Sequence, residues 1–197
     1  LRHIAITFFT MSAIIPKKIL AVAGSTSKKS RNKQLLKYIT SKFPAPQFQV
    51  KVVPLEDYTM PIFNVDLLEE QGMPAKATQF AAEVDGADLI VLALPEHNGS
   101  FPTAFKNVYD WFSRIPDRPI WGKKDMFLAA TSIGARGGQN VIDSAKLTFP
   151  FFGGVVLDTF TLPTFDSNFA DGVVTHNEKN QELLAKIKTI QTHVLEK

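Results

Sequence analysis

The chain has 197 residues, a formal net charge of +3, 45% hydrophobic residues and no cysteine. That length suits one domain with a sizeable core, and the hydrophobic share is ordinary for a globular protein. The absence of cysteine excludes a disulfide framework, a zinc–thiolate site and a thiol nucleophile, so a redox role would need a bound cofactor. Lysine and arginine are too scattered for a nucleic-acid footprint, and we expect no nucleic-acid partner.

The first 16 residues differ in character from the rest of the chain. Arg2 precedes an apolar stretch, residues 4–15, that loosely resembles the start of a secretory signal, but no small-residue cleavage site follows it. The stretch is too short to cross a bilayer as a helix, and Met11 would be a sensible natural start. We therefore expect residues 1–16 to be an extension outside the core. We expect residues 17–197 to form a single domain of a cytoplasmic protein without a membrane partner.

Strand and helix patterns alternate along that domain. Apolar runs predict five strands, at residues 19–24, 48–53, 89–94, 126–131 and 155–160. Apolar residues at helical spacing predict five helices, one ending before Pro44 and the others at residues 74–84, 102–113, 139–148 and 177–195. Residues 54–72 show no clear periodicity, so we predict a long connection there. The alternation indicates an α/β fold with a parallel sheet, right-handed crossovers and helices on both faces.

The chain changes abruptly from apolar to polar after the third predicted strand. Residues 95–100 form a short polar turn, and a helix is predicted to start at Pro102 with Ser100 as its cap. In an open α/β sheet, ligands bind at the carboxyl ends of the strands, where the strand order reverses. This turn is therefore a candidate binding loop.

The composition of the turn favours binding over side-chain catalysis. Asn98 can bond a heterocycle, and Gly99 allows close approach of the backbone to a ligand. Glu96 and His97 are neighbours in the sequence, but that alone does not make a catalytic dyad. We assign neither of them a catalytic role.

Two further polar loops follow the first and fourth predicted strands. Residues 24–32 are rich in hydroxyls and start a helix, where aimed N–H groups favour a phosphate; an ordinary polar helix cap is the alternative. This loop is neither a Walker loop nor the dinucleotide fingerprint. Residues 132–138 hold three glycines, which either make a turn or let backbone N–H groups reach a ligand. Because loops at strand carboxyl ends converge, the three together predict one ligand site.

Two motifs resemble those of the NADPH-dependent FMN reductase family. Its phosphate loop is matched by Gly24-Ser25 with Ser30 and Asn32. Its flavin-ring segment and the helix after it are matched by residues 95–102, Lys106-Asn107 and Asp110-Trp111. Order and spacing agree from about Lys18 to Leu162. The resemblance implies a flavodoxin-like, doubly wound, five-stranded parallel sheet of order 2-1-3-4-5 that holds FMN non-covalently.

The resemblance also implies an activity. The expected reaction passes hydride from NADPH or NADH to bound FMN and on to flavin, quinone, azo or metal-oxyanion acceptors, usually in a homodimer or homotetramer. The flavin carries the chemistry, so no catalytic side chain and no metal are expected. Two alternatives remain: a flavodoxin-type electron carrier, and a binding or regulatory module on the same fold that does not use NAD(P)H directly. Such carriers are usually acidic, whereas this chain is basic.

Site residues are implied in three groups. The FMN phosphate group is expected at Ser25, Ser30 and Asn32, with Ser27 in the same loop counted as cofactor-binding. The ribityl chain and the ring are expected along Pro95, Glu96, His97, Asn98 and Ser100. The other edge of the ring is expected at Ser132 and Gly134.

Two positions depart from the family pattern. Ser27 stands where family members often carry an arginine that helps to hold a phosphate, so Lys28, Lys29 or Arg31 would have to substitute for it. His97 stands where a tyrosine is common, which predicts weaker or pH-sensitive stacking beside the flavin.

Aromatic residues are concentrated at residues 149–152 and 101–112. They are more than one small core easily hides, which predicts a homo-oligomer interface that also walls the flavin. Internal packing of the same rings is the alternative.

Overall fold

The computed structural model describes residues 15–197. The predicted N-terminal extension, residues 1–16, therefore lies outside the described residues apart from Ile15 and Pro16. Within the described range, no helix has both the length and the apolar character needed to cross a membrane.

Five parallel strands form the central sheet. They are β1 (Lys17–Ala23), β2 (Phe48–Val53), β3 (Leu89–Ala93), β4 (Asp125–Thr131) and β5 (Val155–Leu162). Their order is β2-β1-β3-β4-β5 with every neighbouring pair parallel, which confirms the predicted topology. Strands β3 and β4 are buried at every position, as expected of central strands covered on both faces.

Helices cover both faces of the sheet in the described part of the chain. They are α1 (Arg31–Thr40), α2 (Val65–Gln71), α3 (Ala75–Asp85), α4 (Thr103–Phe112), α5 (Gln139–Thr148), α6 (Phe165–Asn168) and α7 (Asn177–Glu196). One core packs α3, α4 and α5 against alternate strand residues such as Ile90 and Leu92. The other core packs α1 and α7 against the residues between them, such as Val91. The two-residue period of the strands thus divides the apolar residues between two cores.

Two segments contain structure that was not predicted from the sequence. Residues 54–72, predicted as a plain connection, hold a 3-10 turn at Leu55–Tyr58 and helix α2. Helix α2 has no fully buried residue, and only Leu67 and Leu68 pack, partly buried, against the core, so its apolar face is short. After β5, helix α6 leads into a small antiparallel hairpin of β6 (Phe169–Ala170) and β7 (Val173–Val174).

Most of the predicted aromatic surface is internal. Phe105, Trp121 and Phe149 are fully buried, and the rings of Trp121 and Phe149 lie 4.6 Å apart. Burial in the same cluster raises the pKa of Tyr109 to about 12. In contrast, residues 151 and 152 of the 3-10 turn Phe149–Phe152 are exposed. Internal packing therefore accounts for most of the rings, and an interface would rest on the exposed pair.

Candidate cofactor site

Three loops border an open cavity of about 280 Å³ at the carboxyl edge of the sheet. They follow β1, β3 and β4, and the strand order reverses between β1 and β3. The predicted site residues that line it are Ser25, Ser27, Ser30, Asn32, Pro95, Glu96, His97 and Ser132. It is also lined by Lys29, Arg31, Thr131 and Ile133. Asn98, Ser100 and Gly134 are not among the lining residues.

Two hydroxyls of the first loop form hydrogen bonds within the loop and with the start of α1. Ser30 caps helix α1, because its Oγ accepts a hydrogen bond from the Lys33 N–H over 3.4 Å. The Ser25 Oγ accepts one from the Ser27 N–H over 3.2 Å. A hydroxyl that accepts can still donate its own hydrogen to a ligand. The polar-cap interpretation therefore holds for Ser30 and is compatible with anion binding at the start of α1.

The Asn32 side chain makes a structural contact that the sequence does not predict. It is 3% exposed, its Nδ2 donates to the Thr131 carbonyl, and its Oδ1 accepts from the Thr131 N–H, each over 3.0 Å. The amide thus ties the start of α1 to the end of β4. Thr131 engages the amide oxygen and one of the two Nδ2 hydrogens, so the second Nδ2 hydrogen and the backbone N–H of Asn32 are left for a phosphate. No residue pattern indicated this contact, since the partner is backbone.

Two cations lie at the cavity. Lys29 and Arg31 line it, whereas Lys28 does not. Arg31 also forms a two-pronged pair with Asp166, with Nε–Oδ1 and Nη2–Oδ2 distances of 2.9 and 2.8 Å. These hydrogen bonds and the opposite charges raise the pKa of Arg31 and lower that of the Asp166 carboxyl. Lys29 and Arg31 thus supply positive charge near the position where the family often has an arginine.

The loop after β3 closes in a tight two-residue turn. Asn98 and Gly99 have φ angles of 51° and 78°, and His97 and Ser100 exchange two backbone hydrogen bonds of 3.0 Å. Such left-handed pairs favour Asn-Gly. The prediction that Ser100 caps the next helix is wrong: α4 begins at Thr103, and Pro102 holds the cap position without a side-chain bond. Ser100 is held in the turn instead.

Glu96 does not pair with His97. Its Oε1 accepts from the Asn140 Nδ2 and its Oε2 from the Val141 N–H, both over 3.1 Å. The carboxylate therefore bonds the N-terminal turn of α5.

Two glycines of the loop after β4 are required by its backbone conformation and close packing. Gly137 and Gly138 have φ angles of 60° and 87°. A Cβ on Gly137 would lie 2.8 Å from the Pro163 nitrogen, and one on Gly138 would lie 2.8 Å from the Ala130 Cβ. Turn formation, one of the two interpretations of these glycines, explains both positions. Gly134 is exposed, and its carbonyl accepts from the Thr164 N–H over 3.1 Å.

The lining chemistry fits FMN. The N–H groups of the first turn of α1, the serine hydroxyls and two cations suit a phosphate dianion. Ile133, 65% exposed, and Pro95 give the cavity apolar surface, as a planar ring requires. No cluster of three or more metal-ligating side chains occurs in residues 15–197.

An open five-stranded parallel sheet of this order, with its cavity at the reversal point, defines the flavodoxin-like class of α/β proteins. Within that class, residues 17–167 match the NADPH-dependent FMN reductase family, and the chain belongs to it. The protein is accordingly an oxidoreductase of the kind that works with FMN and a nicotinamide.

Relatives and solved structures agree with this assignment. The quinone reductase of Escherichia coli K12 is 28% identical over 170 residues, covering 81% of this chain and 88% of the relative. A 2-hydroxy-1,4-benzoquinone reductase from Burkholderia is 33% identical over 120 residues, covering 61% and 63%. FerB from Paracoccus denitrificans, an NAD(P)H:(acceptor) oxidoreductase, superposes with a TM-score of 0.71 at 22% identity, covering 90% and 97% of the two chains. An azoreductase from Bacillus anthracis gives a TM-score of 0.60 at 15% identity, covering 92% and 100%. These two structural likenesses show the fold alone.

Proposed function

We propose that the protein is an NAD(P)H-dependent quinone reductase that holds FMN in the cavity between the loops after β1, β3 and β4. One observation carries this proposal: in a chain of the FMN reductase family, the start of α1 and the 95–100 turn border the same cavity. Quinones are favoured as acceptors because relatives that match most of the chain are named quinone reductases. Azo compounds are a second acceptor class to test, and flavin and metal-oxyanion acceptors stay predictions from the sequence.

The phosphate end of FMN would be held at the start of α1. The N–H groups of Arg31 and Asn32 belong to the first helical turn, where they have no partner inside the helix. Hydroxyls of the serines at 25, 27 and 30 can donate beside them. Lys29 and Arg31 add charge to this end of the cavity, in place of an arginine at 27.

The ring end would lie against the 95–100 turn and the start of the β4 loop. When bound, FMN accepts hydride from the nicotinamide and delivers electrons to the acceptor. The protein then has to fix the ring, shield one face and leave the other open. Pro95, His97 and Ile133 are placed to contact the ring, and Ser132 to bond its edge. Asn98 and Ser100 would act through the shape of the turn.

We further propose that the enzyme is a homo-oligomer whose interface includes the exposed rings of Phe151 and Phe152. Phe101, directly after the turn, stacks on Phe149 at 5.8 Å with 10° between the ring planes. A second copy that contacts Phe151 and Phe152 would therefore press on this stack, which leads to the turn proposed to hold the flavin ring. Residues 17–197 acting as a single domain, and a cytoplasmic location, stay predictions.

Anaerobic reduction tests the proposal. Purified protein loaded with FMN should bleach on addition of NADPH or NADH and recover its colour with menadione. An azo dye in a parallel reaction tests the second acceptor class. Failure to bind FMN would contradict the proposal. A bound flavin that neither nicotinamide bleaches would favour the electron carrier or regulatory module.

A further inference from the structure

Helix α5 begins without a cap of its own. Its N-cap residue is Gly138, in the left-handed region at φ 87°, and no side chain of that residue can bond the first turn. Ser, Thr, Asp or Asn usually supplies this bond to the N–H two or three residues on. Here even a Cβ would lie 2.8 Å from the Ala130 Cβ, so the position excludes them. The acceptor for this helix has to come from another part of the chain.

Glu96, from the loop after β3, supplies it. Val141 is the third residue of α5, and its N–H donates to the Glu96 Oε2 over 3.1 Å. The same carboxylate accepts from the Asn140 Nδ2 through Oε1, also over 3.1 Å. A carboxylate at the positive end of a helix, bonded twice, is held more firmly than a neutral cap would be.

The orientation of the Asn140 amide is set by a third group. The Arg136 Nη2 donates to the Asn140 Oδ1 over 2.7 Å. Because arginine only donates, the amide oxygen must face Arg136, and the amide nitrogen must face Glu96. Asn140 also borders the tip of the turn, since a Cβ on Gly99 would lie 3.7 Å from its Nδ2. The start of α5 thus touches the 95–100 turn at its base and at its tip.

We propose that Glu96 is a positioning residue for the flavin, acting through Asn140 and Val141 to fix the 95–100 turn against α5. This inference rests on the proposed FMN site, in which the turn carries the ring. Both oxygens of the Glu96 carboxylate are bonded to α5, and in this proposal the residue acts on the ring through these bonds. It sets where Pro95 and His97 lie, and therefore how the ring is seated between the β3 and β4 loops.

The Glu96→Gln variant tests the link with little change of shape. When the oxygen of the introduced amide accepts from the Val141 N–H, the NH₂ of that amide faces the NH₂ of Asn140, and two donors oppose each other. Rotating the Asn140 amide would remove this clash but would break its hydrogen bond from Arg136. Loss of a hydrogen bond to a charged group predicts that the Kd for FMN rises about tenfold. The visible spectrum of the bound flavin should also change, because the ring is seated differently. Asn140→Asp places two carboxylates together and should weaken FMN binding to a similar extent.

The double variant E96Q/N140D exchanges the donor and the acceptor. The amide introduced at position 96 can then accept from Val141 and donate to the carboxylate introduced at position 140. The other oxygen of that carboxylate accepts from Arg136, so all three hydrogen bonds return. We expect the Kd for FMN to come back to within about threefold of wild type, a coupling that independent sites would not show. Asp143→Asn is the matched control, because Asp143 is an exposed carboxylate of α5 that accepts only from Gln139 among the described residues.

The outcomes separate the proposed function from the positioning role. Wild-type protein that binds no FMN would overturn the proposed function and this inference together. Wild type that binds FMN, with E96Q unchanged in Kd and spectrum, would overturn this inference alone. Weakened E96Q that the double variant fails to restore would mean that the Glu96 charge itself contacts the flavin, and that result also overturns the positioning role.

Discussion

A single buried amide ties the start of α1 to the end of β4, on two sides of the candidate cofactor cavity. Asn32 satisfies both backbone groups of Thr131, and only 3% of the residue is exposed. Buried backbone groups of this kind need a hydrogen-bond partner. Replacing Asn32 by leucine keeps the size but leaves a buried N–H and a buried C=O without partners. We expect the free energy of unfolding to fall by about 3 kcal/mol, measured by urea denaturation. Gln34→Ala, at an exposed position of the same helix, should change it by less than about 0.5 kcal/mol. An unchanged urea midpoint for N32L would contradict this role.

This contact shows where prediction from residues stops. The polar loop after β1 was predicted at the cavity, and the structure places it there, because strand order alone brings the loops together. The partner of Asn32 lies 99 residues away and is a backbone group. A backbone partner can belong to any residue type, so the sequence does not reveal it. A polar side chain at a helix start is then interpreted as a ligand donor. The same ambiguity applies to Glu96, whose bonds to α5 depend on the relative placement of two loops.

The pair of Arg31 and Asp166 predicts a dependence of stability on acid. The Arg31 guanidinium lowers the pKa of Asp166 in the folded protein, so the pair stabilises at neutral pH. That contribution is lost as the pH falls through the lowered pKa, and because the pair is exposed it is small. We expect wild type to have a higher urea midpoint than Asp166→Asn at pH 7, and the difference to shrink in acid. Asp171→Asn, in the exposed turn of the β6–β7 hairpin, should follow wild type at every pH.

At the scale of elements, the backbone at the start of α5 allows only glycine. Gly138 combines a φ of 87° with a Cβ position 2.8 Å from the Ala130 Cβ of a buried strand. Gly138→Ala would add a left-handed strain of about 1–2 kcal/mol and a clash that β4 cannot easily relieve. We expect a loss of about 3 kcal/mol in the free energy of unfolding, measured by thermal or urea denaturation.

Gly134→Ala in the same loop is the control for this stability test. A Cβ on Gly134 would lie 3.8 Å from the Ser132 Oγ, and its φ is not positive. We expect its melting temperature to stay close to that of wild type. Equal effects of the two substitutions would mean that the loop tolerates side chains generally, contrary to the geometry.

How well each element could be predicted follows from its burial. Strand β3 and helix α4 present continuous or periodic apolar residues to the core, and both were predicted within one or two residues. Helix α2 fully buries none of its residues, and the β6–β7 hairpin has two-residue strands, so neither carries a periodic pattern. Elements that contribute little to the core therefore have no regular apolar pattern from which they could be predicted.

At the scale of the whole molecule, one group of exposed apolar residues lies at the end of α5 and the start of the outer strand β5. Leu147, Phe151, Phe152 and Val155 are exposed, and the most exposed, Phe151, reaches 82%. They lie at the end of α5, in the following turn and at the start of β5, so they are near one another along the chain. We propose that these residues form a contact surface, since contiguous exposed apolar residues mark such surfaces. Phe149 stacks on Phe101 and belongs to the same 3-10 turn as Phe151 and Phe152, which is the reason to connect assembly with the candidate flavin site.

A charge on this patch should therefore separate the subunits. We expect wild type to sediment as a homo-oligomer at micromolar concentration and Phe151→Arg to sediment as a monomer, because a buried unpaired guanidinium opposes association. Val173→Arg, at an exposed apolar position on β7, is the control and should keep the wild-type mass. If the interface also shields the flavin from solvent, the F151R monomer should bind FMN more weakly than the wild-type oligomer. Its melting temperature without FMN should stay close to that of wild-type protein diluted until it is monomeric. A wild type that is monomeric at micromolar concentration would contradict the interface and leave Phe151 as an isolated exposed ring.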